Sequence, residues 1–132
     1  MPLNPNSFAR YRALQSHSQA YLQVQLVGPA GGRSTVIVTL LDTGAGYSAF
    51  DAASALQAGY VLTNLPMVTI TLANGGTARL RSIPNARLLI ENHPATATRI
   101  LLVSGNATPI LSPEDILPAT EFGFDRTSVF FD

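Results

Sequence analysis

The run Leu40-Leu41-Asp42-Thr43-Gly44-Ala45 places one acidic side chain directly after an apolar stretch. Residues 35–39 before it are rich in β-branched side chains, so we predict a strand that ends in a glycine-containing turn. A carboxylate in apolar surroundings is tolerated only when it is paired, hydrogen-bonded or neutralised, and such groups concentrate at functional sites. Asp42 is therefore the leading candidate for proton-transfer chemistry.

Three further segments follow this acidic turn in order. Ser48 lies six residues after the aspartate, and Asn74-Gly75-Gly76 separates two strand-like runs. The late segment 109–117 contains a hydrophobic pair, the small residue Ser112 and a helix-like piece. The order of these segments along the chain is more specific than any one of them.

Together, the motif and this order resemble the retropepsin-like branch of the aspartic peptidases, whose chains carry one Asp-Thr-Gly motif each. The resemblance covers about residues 20–131. It implies a mainly β fold: a closed retropepsin-like β-barrel protomer with one or two short helices, which forms a symmetric homodimer. The sequence departs from the family pattern at Ser112, where Gly is usual, and at Gly46, where several viral members have an acidic residue.

The resemblance also implies a role for individual residues of this chain. Hydrolysis of a peptide bond in this family needs two carboxylates on one water, so Asp42 from each of two protomers would form the dyad and share one proton. Thr43 would link the two turns through its hydroxyl, Gly44 would let the substrate backbone approach, and Ala45 would continue that wall. Asn74-Gly75-Gly76 would form a flap that covers a peptide or protein substrate and excludes water. The resemblance implies no metal or cofactor.

Two alternatives stay open from the sequence. The first is a catalytically weak or inactive retropepsin-like module that dimerises or binds peptides, which the residues Ser112 and Gly46 favour. The second is an unrelated small β-barrel binding domain with an accidental Asp-Thr-Gly. For the single residues, the alternative for Asp42 is a turn aspartate that only caps backbone amides, and the alternative for Asn74-Gly75-Gly76 is an ordinary surface hairpin. Proteolysis discriminates the first alternative from a peptidase, and dimer assembly discriminates the second.

Alternation of apolar and polar residues predicts the strands that must position these groups. Residues 20–27 place Leu22, Val24 and Leu26 on one face. Asn74-Gly75 predicts a tight hairpin whose central residues both have positive φ. Further strands are predicted over residues 35–41, 67–72, 77–83, 87–91 and 98–103 and within 122–131, with Asn92-His93-Pro94 as the connection after residue 91.

Two short helices are predicted from their end signals. The first has Asp51 as its N-cap and Gly59 just past its C-terminus. The second begins at Ser112, which we expect to act as an N-cap, and we interpret Glu114 and Asp115 as the negative charges that favour a helix N-terminus.

The composition limits the partners. A chain of 132 residues predicts a single domain at residues 20–132, after an N-terminal segment 1–19 that is flexible or lies at the dimer interface. Only 12% of residues are charged and 46% are hydrophobic, and we expect some of this apolar excess to lie in a subunit interface. The net charge is zero and all eight basic residues are Arg. The sequence therefore lacks the basic face of a nucleic-acid-binding protein, and we expect no nucleic-acid partner. We interpret Arg79 and Arg81 as a solvated strand face rather than a site for an acidic ligand.

The remaining compositional evidence concerns the compartment. The chain has no cysteine, which excludes disulfides and Cys-based zinc sites. No stretch is long and apolar enough to cross a bilayer, and residues 1–19 lack the apolar centre of a secretory signal. We therefore expect a cytoplasmic protein with no membrane partner.

Overall fold

The computed structural model describes residues 9–11, 14–16, 19–42, 45–72, 74–105, 107–116, 122–124 and 129–131. Within them the chain is mainly β, as the alternating patterns predict. In chain order the elements are β1 (Ala9–Tyr11), β2 (Leu14–Ser16), β3 (Gln19–Val27), β4 (Ile37–Leu41), β5 (Ala49–Asp51), α1 (Ala52–Ala58), β6 (Met67–Thr71), β7 (Thr77–Ile90), β8 (His93–Val103), β9 (Ile110–Leu111), α2 (Pro113–Ile116), β10 (Phe122–Phe124) and β11 (Val129–Phe131).

The described residues form two sheets, and the larger contains eight strands in the order β2-β3-β4-β9-β5-β8-β7-β6. Strand β7 also pairs with β3, so the pairings pass from β3 through β4, β9, β5, β8 and β7 and return to β3. The β4–β9 and β5–β8 pairings are parallel, and the others in this sheet are antiparallel. The second sheet, in the order β1-β11-β10, joins strands from both ends of the chain.

The hydrophobic core lies on the inner faces of β3, β7 and β8 and against α1. Leu22, Val24 and Leu26 are all buried, which confirms the face predicted from the alternation in β3. Phe50 on β5 and Leu111 on β9 are fully buried in the same cluster. The short strands β5 and β9 are therefore fixed by burial as well as by backbone pairing.

Helix α1 has both predicted ends. The Asp51 side chain accepts a hydrogen bond from the Ala53 N–H at 3.1 Å, and Gly59 ends the helix in the left-handed region with φ of +101°. The loop after β3 packs closely on this end of α1, because a Cβ atom at Gly28 would lie 2.0 Å from the carbonyl oxygen of Ala58. No helix in the described part of the chain is long and apolar enough to cross a membrane.

The connection between β7 and β8 differs from the prediction. Strand β7 continues to Ile90 and β8 begins at His93, so the turn consists of Glu91 and Asn92 alone, with φ of +48° and +66°. Pro94, which the sequence predicts in the connection, lies in β8 and pairs with Leu89 of β7. This is tolerated because β8 gains its second partner, β5, only from Leu101 onward, so Pro94 lies on a strand edge.

Candidate active site

Asp42 follows directly after the last residue of β4. Leu41 pairs with Ala20 of β3 on one side and with Leu111 of β9 on the other. The Asp42 N–H donates to the carbonyl oxygen of Leu111 at 3.0 Å, and its carbonyl oxygen accepts from the Ala45 N–H at 3.2 Å. The backbone of Asp42 is thus fixed on both sides, while its side chain is half-buried.

The predicted active-site turn is described only in part. Thr43 and Gly44 lie outside the described residues, so their roles stay predictions. Ala45 is half-buried and closes the turn through its bond to Asp42. After it, Gly46 is exposed and has no heavy atom within 4 Å of the position of a Cβ.

Ser48 anchors the far end of this turn and is fully buried. Its hydroxyl oxygen accepts from the Ser112 N–H at 2.9 Å, and its carbonyl oxygen accepts from the Leu101 N–H at 2.8 Å. Its own N–H donates to Oδ2 of Asp115 at 2.7 Å. The segment that begins at Asp42 is therefore attached to β8 and to the start of α2 by buried hydrogen bonds.

Asp115 is buried and its carboxylate faces the turn, which differs from the predicted role of an ordinary helix N-terminal charge. Besides the bond from Ser48, Oδ1 accepts from the Thr98 hydroxyl at 3.3 Å. Its neighbour Glu114 is exposed, as a helix N-terminal charge should be. Sequence reasoning missed the role of Asp115 because its partners Ser48 and Thr98 are distant along the chain, and no local spacing indicates such contacts.

Ser112 also differs from its predicted role. Its hydroxyl donates to the carbonyl oxygen of Ala45 at 2.8 Å, so this contact serves the turn rather than the helix. At the start of α2 it is the main-chain carbonyl oxygen of Ser112, not its hydroxyl, that accepts from the Asp115 N–H, at 3.1 Å. A glycine here, which is usual in the retropepsin-like family, would lack the contact to Ala45.

The predicted flap segment forms the tip of the β6–β7 hairpin and is exposed. The Leu72 N–H donates to the carbonyl oxygen of Gly76 at 2.7 Å, and the Gly75 N–H donates to the carbonyl oxygen of Leu72 at 3.0 Å. Gly75 has φ of +86°, but Asn74 is not in the left-handed region, so the prediction of two positive φ values is wrong. Instead, Oδ1 of Asn74 accepts from the Gly76 N–H at 2.9 Å, an Asx turn that needs no left-handed backbone at Asn74.

The structure thus brings Asp42 and Ala45 together with Ser48, Ser112 and Asp115 in one hydrogen-bonded unit. The bonds that close the tip at Asn74-Gly75-Gly76 join residues of the hairpin itself. Among the described residues, no group of three or more His, Asp and Glu side chains is arranged to hold a metal ion.

Comparison with known proteins identifies the fold. No protein-family model matches the chain, and no curated protein matches it. Among solved structures, the chain is similar to the crystal structure of a retropepsin-like aspartic protease from Rickettsia conorii, with a TM-score of 0.64 and 17% sequence identity. The match covers 95% of this chain and 90% of that one. The chain therefore has a mainly β fold that resembles a retropepsin-like protease.

Proposed function

We propose that this protein is an aspartic endopeptidase and that Asp42 is its catalytic residue. The observation that carries the proposal is the position of Asp42 within a retropepsin-like fold. It directly follows β4, which is paired on both sides, its backbone is bonded to Leu111 and Ala45, and the residue is half-buried. A fixed backbone with an accessible acidic side chain suits a group that must exchange protons with a bound water.

The proposed reaction needs two copies of Asp42. One protomer supplies one such aspartate, so two protomers would meet about a two-fold axis and bring the two carboxylates to the same water. Two like charges at close range do not both ionise, so the pair would share one proton. The ionised carboxylate takes a proton from the water as the water oxygen attacks the peptide carbonyl carbon. The protonated carboxyl donates its proton to the carbonyl oxygen. The C–N bond then breaks as the leaving nitrogen receives a proton from one carboxyl, while a hydroxyl of the tetrahedral intermediate gives its proton to the other carboxylate, which leaves an acid product, an amine and a dyad that again shares one proton.

The homodimer and a closed barrel are parts of this proposal. The pairings that return to β3 support a closed barrel in each protomer. The sheet β1-β11-β10 supports dimerisation, because β1 and β10 are its outer strands and each has one pairing partner among the described residues. Such edges are available to extend the sheet with strands of a second copy.

The remaining site residues take the roles that the family resemblance implies. Thr43 would link the turns of the two protomers through its hydroxyl, and Gly44 and Ala45 would form the wall beside the substrate backbone. The tip Asn74-Gly75-Gly76 would be the flap, and its exposed position at the end of a hairpin supports this role. An extended peptide substrate would bind between the turn and the flap through main-chain hydrogen bonds.

The substitution Asp42→Asn tests the proposal. It keeps the size of the side chain but removes the group that accepts the proton, so cleavage of an unfolded protein at mildly acidic pH should fall by at least about 100-fold. Asp51→Asn is the matched control, because Asn caps α1 as well as Asp does, and it should cleave like the wild type.

Equal cleavage by the wild type and Asp42→Asn would refute the catalytic assignment. A wild-type dimer that binds peptides but cleaves none of them would instead support the non-catalytic module. Sedimentation of both variants verifies that they assemble like the wild type.

A further inference from the structure

A pocket of about 280 Å³ lies at the base of the β6–β7 hairpin. One side of it is formed by the hairpin residues Met67, Arg79 and Arg81, and the other by Leu62 and Leu102 of the protein body. None of its lining residues belongs to the segment from Asp42 to Ser48. It is therefore a site separate from the candidate active turn.

Two arginine side chains line this pocket together. Arg79 and Arg81 alternate on β7, so they lie on the same face of the hairpin, opposite Thr69 and Met67 of β6. Within the described part of the chain, neither guanidinium has a hydrogen bond or a carboxylate partner. Both arginines are exposed, as a solvated strand face predicts, and both also border this concave surface.

The lining residues include no acidic side chain that would balance the two cations. The acidic residue next to the lining in sequence is Asp51, before Ala52, and its Oδ1 accepts the N-capping bond of α1 from Ala53. Two like charges at one pocket repel each other, and an anion between them removes that repulsion. The planar carboxylate matches the geometry of guanidinium donors.

The rest of the lining is apolar. Leu102 is 5% exposed, and Leu62 and Ala52 pack against the core, so these surfaces are rigid. Met67 is 46% exposed and extends the apolar surface next to the arginines. A ligand with a short apolar group would bury this surface while its charged end contacts the guanidinium groups.

We propose that this pocket binds a carboxylate carried on a short apolar group. A peptide with an apolar C-terminal residue and a short fatty acid share this chemistry. The occupant would connect the hairpin, through Arg79 and Arg81, to the body, through Leu62 and Leu102. The proposal concerns binding alone and does not depend on peptidase activity.

The test uses the methyl resonance of Met67. The chain has two methionines, Met1 and Met67, so ¹³C-methyl labelling gives a direct probe of the pocket. The Asp42→Asn variant of the 132-residue chain is titrated with two matched pairs: hexanoate against hexanol, and N-acetyl-leucyl-leucine against its C-terminal amide. We expect a saturable shift of the Met67 methyl with at least one acid and with neither neutral analogue.

Three arginine variants locate the carboxylate. Arg79→Gln and Arg81→Gln should each weaken binding of the acid about tenfold, the loss expected for a charge-assisted hydrogen bond. Arg87→Gln is the control: it removes the same charge from the same strand outside the pocket, and it should change the affinity less than twofold. Added salt should weaken binding of the acid.

The two acids also identify the source of the carboxylate. Binding of the dipeptide alone indicates a peptide C-terminus, and binding of hexanoate alone indicates a free acid. The proposal is overturned when each neutral analogue shifts the Met67 methyl as its acid does, when neither acid shifts it, or when Arg87→Gln weakens binding as much as the pocket variants.

Discussion

The backbone N–H of Ser48 donates to the buried carboxylate of Asp115 at 2.7 Å, although the two residues are 67 positions apart in sequence. The same carboxylate accepts from the Thr98 hydroxyl. One side chain of α2 therefore satisfies donors from the end of the Asp42 turn and from β8. This contact makes the position of the turn depend on the packing of a one-turn helix.

Replacement of Asp115 should destabilise the protein more than replacement of its exposed neighbour Glu114. Asp115→Ala leaves the buried Ser48 N–H without an acceptor and removes the bond from Thr98, so we expect the free energy of unfolding to fall by about 3 kcal/mol. Asp115→Asn keeps one acceptor oxygen, so its free energy of unfolding should fall by less than that of Asp115→Ala. Urea unfolding followed by circular dichroism measures both losses. Glu114→Ala is the matched control on the exposed side of the same helix and should change stability by less than about 0.5 kcal/mol; an equal loss in the two alanine variants would contradict this account.

Ser112→Ala should lower the catalytic rate through the position of the turn, at only a small loss of stability. The substitution keeps the Cβ and removes the hydroxyl that donates to Ala45, so we expect a loss of about 1 kcal/mol in the free energy of unfolding. In the proposed peptidase, the turn would hold Asp42 less firmly, so kcat should fall while KM stays the same. The measurement is steady-state cleavage of a fluorogenic peptide, at a temperature where both proteins are folded. Ser54→Ala on α1 is the control, and a matching fall in its kcat would show that the effect is not specific to the turn.

Two glycines in loops should respond differently to a methyl group. Gly28→Ala places a Cβ 2.0 Å from the carbonyl oxygen of Ala58, so the loop or α1 must shift, and we expect a loss of about 2 kcal/mol in stability. Gly46→Ala meets no atom within 4 Å, and Gly46 is not in the left-handed region, so stability should hardly change. Thermal unfolding of the two variants measures the difference. Equal melting temperatures for both would show that the loop after β3 adapts without strain.

The features predicted correctly from sequence depend on neighbours along the chain. The buried face of Leu22, Val24 and Leu26 follows from a period of two residues, and the ends of α1 follow from Asp51 and Gly59. The position of Asp42 at the end of a strand follows from the apolar run before it. These signals are local, so one sequence is sufficient to find them.

The features that sequence reasoning missed depend on contacts between distant segments or on competing local signals. Asp115 has the sequence context of an ordinary helix N-terminal charge. Only the fold brings its carboxylate within hydrogen-bond distance of the Ser48 N–H. At Asn74 the side-chain oxygen accepts from the Gly76 N–H, and the tip forms an Asx turn where the sequence predicts a turn with two positive φ values. At Pro94 a residue typical of loops lies in a strand, because one edge of β8 has no partner strand there in the described structure.

Glu91 should make the protein more stable in acid than at neutral pH. Burial raises the pKa of Glu91 above its ordinary value, and this effect exceeds the lowering by a backbone hydrogen bond from Gln23 and by the charge of His93. Because the folded-state pKa is the higher one, the stabilising contribution of this group is fully present below the unfolded-state pKa, and it is lost as pH rises through the folded-state pKa. Glu91→Gln cannot ionise, so its stability relative to the wild type should increase as pH rises from about 4 to 7 and should be similar to that of the wild type at about pH 3.

Urea unfolding of the wild type and of Glu91→Gln across this pH range checks the sign. Glu91→Gly is the informative control, because Glu91 has φ of +48° and glycine adopts that backbone without strain. Its stability should exceed that of Glu91→Gln by an amount that does not change with pH, since both variants lack the carboxyl group. A stability difference between Glu91→Gln and the wild type that stays constant from pH 3 to 7 would mean that the carboxyl group has the same pKa in the folded and unfolded chains.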